Sequence, residues 1–360
     1  MNAWEEAKLT GLYTLSHLHV GGGQSNGAVD LPIQRDVVTN LPIIPPSAIK
    51  GVAREAFEMA SKSVKRSLDD NLIGRLFGKS LDRKDGNKSR SADEDDKPSS
   101  EEGDKPDSKA DLSAGTICFS EARLIAYPAR ALNRPFLYIT SPSVLKRLAR
   151  DARVFNVDLE LKVPNNPDDE KSADQNNKVR NQSWALVSSA NLANQPLVIE
   201  DLVVAAERVV YREDVLNLAQ TLANSLLPPV ASEPETVADF IERLVILRDI
   251  DFHELIERIV PVRARTKLTE GKTTDRWRDD EGKVQTGNLW YEEYLPSDCV
   301  FAGFLGSRRG SPRRNGHTPM EEFVDHLRLL SLIQIGGNET VGHGICHWRI
   351  PDDKKKGGGS

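Results

Sequence analysis

His17 to Arg54 reads H-L-H-V-G-G-G-Q-S-N-G-A-V-D-L-P-I-Q-R-D-V-V-T-N-L-P-I-I-P-P-S-A-I-K-G-V-A-R. A strand carrying two histidines runs into a glycine-rich turn, Gly21–Gly27, then a carboxylate at Asp30, then a helix bearing Lys50 and Arg54. Upstream, Leu9–Val20 alternates, with Leu12, Leu18 and Val20 on one face and Tyr13, His17 and His19 on the other, as a half-buried strand does. Downstream, Ser47 has the look of an N-cap, and Ile49, Val52, Ala53, Ala56 and Phe57 keep helical spacing to about Ala60. A main-chain-rich loop between a strand and a cationic helix suits a polyanion such as RNA, because free N–H groups and the helix N-terminus both favour negative charge.

Six pieces, in order, carry a resemblance: H-V-G-G-G at 19–23, V-D-L-P-I-Q-R at 29–35, I-P-P-S-A-I-K-G at 44–51, L-F-G at 76–78, L-W-Y-E-E-Y-L-P at 289–296 and I-G-G-N-E-T-V-G-H-G at 335–344. Together they resemble the backbone subunits of type III-B CRISPR effector complexes, the fourth Cmr subunit, in the RAMP superfamily of CRISPR RNA-binding proteins. The chain departs from that pattern at Pro46, where glycine is more usual, and in the length of its polar insertion at 79–110.

The rest of the sequence bounds the answer. Its 360 residues are 38% hydrophobic and 28% charged, with formal net charge −6. That charge does not advertise a nucleic-acid binder, but it averages unlike regions: 79–110 alone holds eight cations and ten anions. This segment and the shorter 164–182 read as polar insertions, the first disordered because it has too little apolar surface to offset its ordering entropy. The three cysteines, Cys118, Cys299 and Cys346, have no metal-site spacing, which fits a reducing cytoplasm. No apolar run approaches the ~18–20 residues that cross a bilayer, and no signal-peptide pattern opens the chain, so no membrane partner is expected.

Residues 1–350 read as a single domain and 351–360 as a tail ending in a linker. Strand signals cover 115–126 and 345–350. Helical patterns cover 144–150, 212–226, 236–247 with a Ser232/Glu235 capping box, and 320–333. Segments 262–268 and 284–290 flank a charged tip and read as a long β-hairpin. This order fits an α+β fold with an RRM-like (ferredoxin-like) core and long excursions. The resemblance implies the same: a palm of that fold, a finger region, and a protruding thumb hairpin, placed at 262–292.

By resemblance, Asp30 falls on the family's catalytic aspartate and is the candidate for chemistry and for a divalent metal, Mg²⁺ or Mn²⁺. Glu292 and Tyr294 match positions associated with target cleavage, with Glu293 an alternative to Glu292, and His19 is a candidate acid, base or phosphate contact. The expected RNA contacts are Gly21, Gly22, Gly23, Arg35, Ser47, Lys50 and Arg54 around the first loop. Gly336, Gly337, Gly342 and Gly344 join them from the second loop, and Arg263, Arg265 and Lys267, alternating on one strand face, from the hairpin. Trp277 near the tip could stack on bases, and the run Arg308, Arg309, Arg313 and Arg314 could meet phosphate.

Each of these residues also has an ordinary structural use: turn aspartate, hydrogen-bonded histidine, solvated cation, tight glycine turn. The resemblance implies guide CRISPR RNA, single-stranded target RNA, further copies of the chain in a helical stack, and other Cmr subunits as partners. The alternatives are a non-catalytic guide-binding scaffold and, more remotely, a guide-processing nuclease.

Overall fold

In the computed structural model the two ends of the chain meet in one sheet. The first strand, Ala7–Thr14, pairs antiparallel with the last, Ile345–Arg349, on one side and with Val300–Ser307 on the other. Val300–Ser307 pairs antiparallel with Ala122–Ala131 in turn. Helix Pro46–Ser63 follows the first strand and Pro319–Leu327 precedes the last. The sheet continues beyond Ala122–Ala131 through Arg134–Thr140, Leu244–Leu247, Ala185–Val187 and Val209–Tyr211, while Leu332–Gln334 extends the opposite edge. The structure describes residues 4–23, 28–63, 70–78, 114–132, 134–167, 182–268, 276–278, 284–286, 289–328 and 330–352.

Helices cover both faces. Every residue of Val300–Ser307 is buried, so the strand needs no polar alternation. At Gly11 a Cβ would lie 2.6 Å from the Cα of Leu226, so glycine there lets helix Glu213–Leu226 lie directly on the sheet. The next residue, Leu12, points the other way and pairs in register with Trp348, whose ring meets Phe323 of the opposite helix. Phe323 stacks on Phe57 at 5.3 Å, and Phe77 and Phe119 complete this aromatic layer. No helix among the described residues is long and apolar enough to cross a membrane.

Several expectations shift. The first helix begins at Pro46, so Ser47 is an exposed residue of its first turn and not the N-cap. The 236–247 pattern divides into helix Pro234–Arg243 and strand Leu244–Leu247, because L-V-I-L is buried between two strands. Ser232 does not cap that helix; its hydroxyl donates to the Pro229 carbonyl, and the capping box is formed at Thr318 and Glu321. The 320–333 pattern likewise divides, into helix Pro319–Leu327 and strand Leu332–Gln334. The first strand stops at Thr14, and 15–20 continues irregularly. Helix Asp249–Ile259 has no counterpart among the sequence-based expectations. The insertion 79–110, most of 164–182 and most of the tail lie outside the described residues.

Candidate nucleic-acid interface

A two-stranded ribbon, Val262–Thr266 against Leu289–Glu293, organises the site. The expected hairpin is therefore present at its base, with 289–293 rather than 284–290 as the returning strand. Residues 276–278 and 284–286 pair farther out, Trp277 opposite Gln285; nothing further is described of the Trp277 side chain.

The two glycine-bearing segments meet at the ribbon base. Leu18 exchanges both main-chain hydrogen bonds with Leu295, at 2.9 and 2.8 Å. The chain then turns back, Gly22 N–H donating to Pro32 O and Gln34 N–H to Val20 O. The N–H groups of Asp30 and Leu31 donate to Tyr291 O at 3.1 and 3.0 Å, and Tyr291 N–H donates to Asp30 Oδ2 at 2.7 Å. Asp30 is thus accessible yet fixed: main-chain bonds hold its backbone, and one carboxylate oxygen is anchored to the ribbon.

Glu292 and Glu293 follow directly and face opposite sides of their strand. Glu293 accepts from Ile33 N–H at 3.0 Å and from the Arg35 guanidinium at 3.3 Å, while Arg35 also donates to Asn40 O at 3.1 Å. This fastens the segment after Asp30. Glu292 is 2% exposed. One of its oxygens lies 2.5 Å from Arg265 Nε, and the other accepts from the Asn338 amide and sits 3.5 Å from His19 Nδ1. His19 Nδ1 is also 2.6 Å from Glu293 O; a carbonyl can only accept, so Nδ1 carries the proton.

A ring cluster lies beside this knot. His17 meets Tyr294 edge-on at 4.8 Å and His343 at 5.7 Å, and the Arg263 guanidinium covers the Tyr294 ring at 4.3 Å. Burial, then the positive charge of Arg263, lowers the pKa of His17. Burial, then Arg265, lowers that of His343. Both imidazoles are therefore held neutral near pH 7.

The second glycine loop joins strand Leu332–Gln334 to strand Ile345–Arg349. Gly337 N–H donates to His19 O at 2.8 Å, and Gly344 N–H to His17 O at 2.7 Å. Gly336 has φ +91°, and a Cβ there would lie 2.9 Å from the His19 carbonyl carbon and nearer its oxygen. Close approach to the protein's own main chain thus explains Gly336; Gly342 (φ +80°) faces open space. On the first loop Gly21, Gly22 and Gly23 are all exposed.

The ribbon base therefore brings together Asp30, His19, Arg35, Arg263, Arg265, Glu292, Tyr294, Gly336, Gly337 and Gly344. Lys267 is exposed farther along the ribbon, and Arg308, Arg309 and Arg313 lie on a separate loop. Arg54 pairs with Glu58 at 2.8 Å and donates to Gly78 O at 3.1 Å, so its guanidinium is engaged within the protein, one turn along from Lys50. Asn338 and His343 also line the candidate site, and the sequence reading does not single them out. The signal for Asn338 is its place after two glycines, where it adopts φ 64°, a left-handed conformation that asparagine tolerates.

The RAMP superfamily profile matches residues 12–347. A curated relative from Pyrococcus furiosus, the CRISPR system Cmr endoribonuclease Cmr4, is 28% identical over 358 residues, covering 98% of each chain. The crystal structure of oligomeric Cmr4 from the same organism superposes with a TM-score of 0.59 at 21% identity, over 97% of this chain and 99% of the other. A chain of the Type III-B Cmr-beta complex bound to cognate target RNA does so at 0.60 and 20% identity, over 97% and 98%. With its profile spanning nearly the whole sheet, from the first strand to the last, the chain belongs to the RAMP superfamily.

Proposed function

We propose that this chain is a repeating backbone subunit of a type III-B CRISPR ribonucleoprotein and that it cuts the target RNA paired to the guide. The observation that carries the reading is Asp30: an accessible carboxylate, fixed by main-chain bonds to the ribbon, beside exposed glycines. A curated relative named as an endoribonuclease and the fold shared with a chain of a target-RNA-bound complex support it.

In this reading the four antiparallel strands Ala7–Thr14, Ala122–Ala131, Val300–Ser307 and Ile345–Arg349, with helices Pro46–Ser63 and Pro319–Leu327, are the RRM-like palm. Their spatial order, last–first–third–second, is that of a ferredoxin-like fold. The ribbon at 262–292 is the thumb. Copies stack along the guide RNA with other Cmr subunits. Each thumb displaces one nucleotide of the guide–target duplex, so that the target strand bends beside Asp30 of a neighbouring copy. Base pairing selects the sequence, and the protein reads backbone and shape. The reaction takes place in the prokaryotic cytoplasm.

Cleavage is attack by a ribose 2′-oxygen on the adjacent phosphorus. The O–P bond that forms closes a 2′,3′-cyclic phosphate, and the 5′-oxygen leaves, taking a proton to become a 5′-OH. In this reading Asp30 accepts the 2′-OH proton, and the bent strand supplies the in-line geometry. Among the described residues no three His, Cys, Asp or Glu side chains come together to hold a metal. A single accessible carboxylate nonetheless fits Mg²⁺ or Mn²⁺ shared with RNA phosphate oxygens, since such ions commonly take one or two protein carboxylates plus substrate phosphates. When bound, the ion would stabilise charge developing on the phosphate. Arg265 offsets the buried Glu292 carboxylate and Arg35 that of Glu293, while His17 and His343 are held neutral near pH 7.

The test is a reconstituted complex with guide and complementary target RNA. Asp30→Ala should abolish the spaced cuts while guide binding survives. Persisting cuts would remove Asp30 from the chemistry, and a wild-type complex that binds target without cutting would make the subunit a scaffold.

A further inference from the structure

Both oxygens of Glu292 are committed. Arg265 of the ribbon takes one, and Asn338 of the glycine loop takes the other, with His19 beside it. A proton acceptor must come within about 3 Å of the hydroxyl it serves, directly or through one water. At 2% exposure, Glu292 has no oxygen left to offer. Asn338 is placed for a different purpose. Its left-handed backbone begins the short turn Glu339–Val341, and its carbonyl accepts from Val341 N–H at 3.2 Å and His343 N–H at 3.3 Å. The other main-chain attachments of the loop, Gly337 to His19 and Gly344 to His17, reach the segment after the first strand. The Asn338 amide instead ties the loop to the ribbon.

We infer that Glu292 is a positioning residue: its hydrogen bond to Asn338 latches the 336–344 loop onto the ribbon, and its carboxylate takes no proton from RNA. The inference rests on the cleavage reading above. The latch sets the relative position of the two surfaces between which an RNA strand would pass, the loop on one side and the ribbon carrying Asp30 on the other. Losing it leaves Asp30 in place, because Tyr291 and Glu293 hold that segment independently.

The chemistry of the pair supplies a discriminating experiment. Asn338→Asp breaks the carboxylate–amide match by facing two carboxylates, whereas Glu292→Gln only weakens it, because an amide both donates and accepts and leaves a neutral pair about half as strong as the charge-assisted one. Together they exchange the partners: the amide introduced at position 292 donates to the carboxylate introduced at position 338, and the remaining carbonyl oxygen at 292 accepts from Arg265. Aspartate also tolerates the left-handed backbone of position 338.

Single-turnover cleavage in the reconstituted complex should fall roughly tenfold to a hundredfold for Asn338→Asp and less, by about threefold to tenfold, for Glu292→Gln. It should return to within about threefold of wild type in E292Q/N338D. Hydrogen exchange across 336–344 in the protein should quicken in Asn338→Asp and slow again in the double variant. A double variant as slow as Asn338→Asp would overturn the inference, since the pair would be restored without the rate and the carboxylate would be needed at 292 itself. An Asn338→Asp variant that leaves cleavage and exchange unchanged would overturn it equally. If Asp30→Ala still cuts, the cleavage reading fails, and the exchange measurement still decides the latch.

Discussion

Gly336→Ala and Gly342→Ala separate two demands that the same loop makes on glycine. Both positions have left-handed backbone, φ +91° and +80°. An L side chain there costs ~1–2 kcal/mol. At Gly342 nothing lies within 4 Å of the added Cβ, so the backbone penalty is the whole loss. At Gly336 the added atom would run into the His19 carbonyl, which is main chain and cannot rotate aside. The loop must lift, with overpacking strain of about 1–3 kcal/mol and loss of the Gly337–His19 hydrogen bond, about 1 kcal/mol. Gly336→Ala should therefore destabilise by about 3–6 kcal/mol and Gly342→Ala by ~1–2 kcal/mol. Urea midpoints, followed by tryptophan fluorescence and by far-ultraviolet circular dichroism, measure the difference where the unfolding slopes agree. Equal losses for the two variants would refute the close approach of this loop to His19, and with it the packing of the two glycine segments.

Arg35→Met removes the guanidinium that binds Glu293 and Asn40 O. Cleavage per bound target should drop roughly tenfold with guide affinity retained, because the segment carrying Asp30 loses one of its two anchors on the Glu293 carboxylate; a fall in binding at unchanged cleavage per complex would contradict this. Asp36 is partly buried, which alone would raise its pKa, but the Thr39 and Val38 N–H groups, the Thr39 hydroxyl and Arg147 outweigh burial and bring it to about 2. The folded value lies below the ordinary 3.8, so this stabilisation, up to about 2 kcal/mol, is present above pH 4 and lost as pH falls toward 2. Asp36→Asn should flatten that part of an acid-unfolding curve. His17 and His343 have pKa values below the ordinary 6.5. Above it both states are neutral and pH has no effect through them; below it the unfolded chain takes up protons first and stability falls. Stability curves for a His17→Asn/His343→Asn double variant should lose that slope below pH 6.5.

Sequence pattern reached those elements whose burial is one-sided. Helix Glu213–Leu226 was legible because Val215, Leu218, Leu222 and Leu226 recur at helical spacing on one buried face. The central extension of the sheet was not. Leu244–Leu247 is buried on both sides, and a short apolar run without alternation looks the same attached to a helix as it does in a strand. The candidate site divides along a similar line. Asp30, His19, Glu292 and Tyr294 came from motif resemblance, and the structure gathers all four at the ribbon base. Which of them is free to react was not legible, because it depends on partners far away in sequence: Asn338 for Glu292, and Tyr291 for Asp30. Alternation placed Arg263 and Arg265 on one face correctly. It could not reveal that a buried ring and a buried carboxylate already occupy that face.

Three consecutive residues therefore govern the site. The main chain of Tyr291 holds Asp30, Glu293 on one face of the strand holds the segment after it, and Glu292 on the opposite face holds the other glycine loop. Because side chains alternate along a strand, shifting this one by a single residue would exchange the two faces and detach both loops at once. The register is fixed where it matters, at the ribbon base: Arg263 pairs with Glu292 and Arg265 with Trp290. The geometry of Asp30 is consequently a property of the ribbon more than of the glycine-rich turn that precedes it. An excursion beyond Thr266 and Leu289 can vary in length without moving the acid, provided the two strands return in the same register. Under the proposed reading, the acid that serves cleavage is therefore anchored at the root of the ribbon.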